Sequence, residues 1–118
     1  MRLMIGGAIV FLSLTAIAHA AQTQSIAIND LIKTASGDQH LQDLVLGFGK
    51  GLEAANLKLK AIGRSLLYCQ PDGLAITGDQ YVHIVDGYVQ KHPTWGKVDG
   101  RILPEVLTQA MMDAFPCK

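Results

Sequence analysis

Two cysteines, Cys69 and Cys117, are the only ones in this chain of 118 residues, and the first twenty residues decide what they become. Arg2 gives a positive start, an apolar run follows over 3–17, and Ala18-His19-Ala20 places small residues where a signal peptidase reads. The run falls short of the about 20 apolar residues that a membrane-spanning helix needs. It reads as an export signal over 1–20, cleaved before Ala21, with a single domain over 21–118 and no membrane association after cleavage. Exported cysteines in even number meet oxidising conditions, so Cys69 and Cys117 are expected to bond. That bond closes a loop of about 49 residues and contributes on the order of 4 kcal/mol in the chain-entropy model.

Without the signal, nine basic and ten acidic side chains remain, for a net charge of −1. Such a balance leaves no electrostatic footprint for nucleic acid. Lys58, Lys60 and Arg64 form the one basic cluster.

The remaining pattern is helical. Residues 22–28 are polar and read as frayed. Asn29 or Asp30 could cap a short helix over Leu31, Ile32 and Ala35, stopped at Ser36-Gly37. Asp38 can cap the next, where Leu41, Leu44, Val45, Phe48, Leu52, Ala55 and Leu59 recur at spacings of three and four. Gly47, Gly49 and Gly51 interrupt this stripe, each at a cost of about 0.5–1 kcal/mol relative to alanine. Gly47 and Gly51 lie four apart beside Ala55, a smooth face expected to let another backbone approach closely. Residues 61–68 fit either a helix end or an extended piece, and Pro71-Asp72-Gly73 is a turn. Thr77 and Gln80 have the spacing of a capping box. The helix they open buries Tyr81, Val82, Val85, Tyr88 and Val89 and stops before His92-Pro93. A loop over 94–100 carries Trp95. A last helix after Pro104 buries Val106, Leu107, Ala110, Met111 and Ala114. No segment alternates long enough to demand a strand, so the fold class is all-α, a small bundle of about four helices stapled by one disulfide.

Few residues offer chemistry. A cysteine hydrolase would need Cys69 as a free thiolate with His40, His83 or His92 in reach, which the expected disulfide opposes. Asp79 and His83 share a helix face, but a metal site needs three or four ligands. Gly47-Phe48-Gly49-Lys50-Gly51 lies within a helical stripe and is no phosphate loop. No catalytic residue, metal or cofactor is expected. Trp95, with His92, Thr94, Lys97 and Arg101 around it, reads equally as an interface anchor or as a lid on the core.

Several short segments occur together in order. Gly47-Phe48-Gly49-Lys50-Gly51-Leu52 precedes Ala55; Cys69 and Pro71 precede Thr77 and Gln80; Tyr88 precedes His92-Pro93; and Ala110 precedes Ala114-Phe115-Pro116-Cys117. In this the chain resembles the Rap/Tai-type immunity proteins of type VI secretion amidase effectors. It departs from them at Phe48, where tyrosine is usual, and at Thr34 and Val45, near which many of those proteins carry a further cysteine pair. The resemblance implies a periplasmic immunity protein that binds a peptidoglycan amidase effector, occludes its cleft and protects the producing cell. Candidate binding segments are 58–68, with Lys58, Lys60, Arg64 and Tyr68, and 92–101, with His92, Trp95, Lys97 and Arg101. Proteins of this kind look capable of pairing as a homodimer, which implies a two-by-two assembly. The alternatives are a small disulfide-bonded acid-stress chaperone, which must expose apolar surface at low pH, and an orphan binding module.

Overall fold

A computed structural model describes residues 24–118; the expected signal over 1–20 lies outside them. Four α-helices follow in order: α1 (Ile28–Ala35), α2 (Gln39–Ala61), α3 (Gly78–Lys91) and α4 (Leu103–Ala114). Two 3-10 turns, Pro93–Lys97 and Gly100–Ile102, lie between α3 and α4. Among the described residues there is no strand, so the all-α bundle stands, and no helix is long and apolar enough to cross a membrane.

Local signals set most boundaries. The Asp38 carboxylate accepts from the His40 and Leu41 N–H groups and opens α2. At the other end Gly63 adopts φ +70°, a conformation that side chains with Cβ avoid. Its N–H donates to Lys60 O (3.1 Å) and the Arg64 N–H to Leu59 O (2.9 Å), the paired bonds of a Schellman stop. The ambiguous 61–68 stretch is therefore a helix end followed by a non-helical segment. Thr77 and Gln80 complete the capping box, and α3 ends at Lys91, ahead of His92-Pro93.

Helix α3 is the hub, packing on α1, α2 and α4. One core joins Ile28, Ile32, Val45, Tyr68, Tyr81, Val85, Val106, Leu107 and Met111 with their neighbours. Cys69 and Cys117 are bonded, and the Cys69 N–H donates to Phe115 O (2.7 Å), so the last residues lie along the 66–70 segment.

The structure corrects several expectations. Ile28 is fully buried rather than frayed, because Ala27 bridges Asp99 and the Ile28 N–H donates to Val98 O (3.0 Å). Ala27, with no side-chain bond, replaces Asn29 or Asp30 as the cap of α1. Leu44 and Ala114 are exposed. Gly47, Gly51 and Ala55 face outward, and added Cβ atoms at Gly47 and Gly51 would meet nothing. Close approach falls at Gly49 instead, where the Tyr81 ring occupies the space a Cβ would take. Gly78 is also in close contact, against the backbone of Gln42.

This division of the glycines gives an opposed pair of outcomes. Gly47→Ala and Gly51→Ala raise stability by about 0.5–1 kcal/mol each, since both relieve a helix interior at no steric cost. Gly49→Ala lowers it by about 1–3 kcal/mol, because the Tyr81 ring must move within a packed core. Urea unfolding of the three variants separates the two signs.

Candidate binding surfaces

The residues selected from the sequence fall in two places. The first is the connection from α3 to α4. His92, Thr94, Lys97 and Arg101 are exposed there, while Trp95 is half-buried and packs on the core, so the lid and anchor readings share that one side chain. The Tyr88 and His92 rings lie 4.5 Å apart, tilted by 40°.

This connection is held from below. The Gly100 N–H donates to Ile26 O (2.6 Å), which with the Ile28 bond ties the turn to the start of α1. Gly96 sits against the Asn29 side chain with no room for a Cβ. Asp99 is the pivot: its carboxylate accepts from the Arg101 N–H (2.8 Å) and engages the Arg101 guanidinium at 2.8–3.0 Å. The Arg101 side chain, then its backbone N–H, then the Ser25 side chain hold the Asp99 carboxyl well below the usual carboxylate range. The same pairing raises Arg101. The backbone of 96–101 is thus anchored through its interior face while its long side chains point to solvent.

The second place is the end of α2. Lys58, Lys60 and Arg64 are exposed, but Lys58 and Lys60 are two residues apart on a helix and cannot share a face. The structure does not gather these three into one patch. Tyr68, expected to contact a partner, is a core residue with 1% exposure. Burial, then the neighbouring Tyr81 and Glu53, push its hydroxyl up to about 12. The Pro93–Lys97 turn packs on α1 and α3, so the two places belong to different parts of the bundle.

Asn56, which sequence reasoning passed over, governs the second place. It is buried on α2, and its Nδ2 donates to Tyr68 O (2.7 Å) while Oδ1 accepts from the Leu67 N–H (2.8 Å). A signal for it existed: Asn56 stands four residues after Leu52 and three before Leu59, on the buried stripe, where an unpaired amide would be costly. Asp99 had a weaker one, its position two residues before Arg101.

Both sulfurs are spent in the disulfide. Asp79 and His83 form an exposed i,i+4 contact of 3.4 Å, and His83 Nδ1 also lies 2.8 Å from Asp79 O. No group of three metal-ligating side chains occurs among the described residues. Compared with family models, curated proteins and solved structures, the chain matches none.

The Asp99 clamp has a pH signature. A depressed folded pKa stabilises the fold above the unfolded value of about 3.9, and the contribution is lost only as pH falls through the lower folded value. The Asp99 carboxyl carbon should therefore show no NMR titration midpoint between about pH 5 and pH 3. Arg101→Ala should bring the midpoint back toward the ordinary range. A midpoint near 3.9 in the unaltered chain contradicts the clamp.

Proposed function

We propose that this chain is an exported, periplasmic immunity protein that binds a peptidoglycan amidase effector of type VI secretion and occludes its cleft. One structural observation supports the reading above the rest: the 92–101 connection is fixed at its base yet open at its surface. Asp99, Asn29 and the two backbone bonds to 26–28 hold its shape, and His92, Thr94, Lys97 and Arg101 stand exposed along it. A loop ordered before binding loses little conformational entropy on docking, so contact energy goes into affinity. A cleft that accepts a peptide accepts such a loop. Inhibition of this kind needs no reaction by the inhibitor, in keeping with cysteines committed to a cross-link.

The ordered motifs from Gly47 to Cys117 that resemble the Rap/Tai-type proteins supply the choice of partner. The acid-chaperone alternative needs acid to release apolar surface. The Asp99 carboxyl, held well below the usual carboxylate range by Arg101, stays ionised as ordinary carboxylates protonate, so it does not supply that trigger.

Calorimetric titration of the mature protein into the amidase encoded beside its gene tests this reading. Tight binding with loss of amidase activity is expected. Thr94→Arg and Lys97→Glu, both at exposed positions, should weaken binding at least about tenfold, or about 1.4 kcal/mol, with unchanged circular dichroism. Micromolar or weaker affinity for every neighbouring amidase would remove the proposal.

A further inference from the structure

Three Asp-Gly pairs occur in the chain, Asp72-Gly73, Asp86-Gly87 and Asp99-Gly100. An aspartate followed by glycine can cyclise: the glycine amide nitrogen attacks the side-chain carboxyl carbon and closes a five-membered succinimide. Glycine favours the step because it has no Cβ to crowd the attacking nitrogen. In a folded chain the step needs an amide N–H free of any acceptor, a carboxyl free of groups that hold it ionised, and a backbone able to turn about the aspartate.

The fold denies these conditions at two of the pairs. Asp86 and Gly87 lie inside α3, where the Gly87 N–H is committed to the helix ladder and the aspartate backbone is fixed. The Asp86 carboxylate also accepts from Gln90 Nε2 (2.8 Å). At the third pair the Gly100 N–H donates to Ile26 O (2.6 Å), and the Arg101 N–H and guanidinium engage the Asp99 carboxylate and hold it ionised. Nucleophile and electrophile are both occupied there.

Asp72-Gly73 meets all three conditions. Pro71, Asp72, Gly73 and Leu74 are exposed and form a turn closed by the Leu74 N–H on Pro71 O (3.2 Å), with Gly73 at φ +76° in the third position. That is the arrangement of a type II turn, in which the N–H of the third residue takes no part in the closing bond. Among the described residues the Gly73 N–H has no acceptor, and the Asp72 carboxyl has neither a hydrogen-bond donor nor an ion-pair partner. The turn lies outside the helices, and Gln70 Nε2 on Leu74 O (2.6 Å) is its other closing bond. Rotation about Asp72 therefore leaves the core undisturbed.

We infer that Asp72-Gly73 is a site of spontaneous backbone isomerisation, while the fold protects the other two pairs. Gly73 N bonds to Asp72 Cγ, its proton joins the leaving oxygen, and one water departs. Water then adds to either carbonyl of the ring. Opening at Cγ restores aspartate; opening at the backbone carbonyl leaves isoaspartate, with the chain running through Cγ and one extra methylene in the turn. One water is lost and one regained, with no oxidation or reduction. The inference is independent of the partner proposed above.

The folded, oxidised protein is incubated in heavy-oxygen water at mildly acidic pH, beside a sample unfolded in guanidinium chloride. Passage through the succinimide installs one heavy-oxygen atom whichever way the ring opens. Peptide mapping with electron-transfer fragmentation then reads the reaction at each aspartate. Unfolded, the three pairs are expected to label at rates within about threefold of one another; folded, Asp72 should label at least about tenfold faster than Asp86 or Asp99. Labelling of Asp86 or Asp99 as fast as Asp72 in the folded protein overturns the inference, as does a folded Asp72 that is as unreactive as they are. Asp72→Glu, which could close only a six-membered ring, is expected to lose the label at position 72 with circular dichroism unchanged. A label persisting there would have entered by another route and would also overturn the inference.

Discussion

The attachment of residues 66–70 to the rest of the bundle is the constraint on which this fold depends. That segment has no regular secondary structure of its own and makes its backbone bonds elsewhere. On one side Asn56 takes the Leu67 N–H and the Tyr68 carbonyl; on the other Phe115 O takes the Cys69 N–H, and the disulfide joins the two chain segments covalently. These ties seat Tyr68 in the core, and Tyr81 closes over Gly49 beside it. A polar side chain and a cross-link thereby do what a further helix would do in a larger domain. Small domains often use such staples, because their cores bury too little surface to hold every segment.

The α3–α4 connection is anchored by different means. It depends on the start of the chain: residues 26–28 bond to its backbone, and Asn29 fills the space beside Gly96. Asp99 links the two by accepting from Arg101 and drawing on Ser25. The proposed inhibitory loop and the 66–70 segment therefore answer to separate restraints, one made of backbone bonds to residues 26–28 and the Asp99–Arg101 pair, the other of Asn56 and the cross-link. Loss of one need not loosen the other.

What the sequence made legible, and what it hid, follows from the range of each interaction. The Asp38 cap, the Thr77–Gln80 box and the stop at His92-Pro93 are written within three or four residues, and all are present. The cysteine pairing followed from there being only two. The interior glycines could not be ranked, because Gly49 differs from Gly47 and Gly51 only in facing Tyr81, a residue on another helix. Ile28 was misjudged for the same reason: its burial depends on 98–100, about seventy residues away. Tyr68 looked available for a partner because the turn at Gly63 and the hold of Asn56 carry it inward only once α2 is in place. Asn56 and Ile28 both kept helical spacing with their apolar neighbours, the signal that a closer reading of periodicity would use.

Urea unfolding of the oxidised chain and of the same chain in excess reductant bears most directly on the place of the cross-link. A staple closing about 49 residues predicts that the oxidised form is more stable by about 4 kcal/mol. A difference below about 1 kcal/mol would mean that Asn56 and core burial hold the segment by themselves, and would contradict the dependence of the fold on the bond between Cys69 and Cys117.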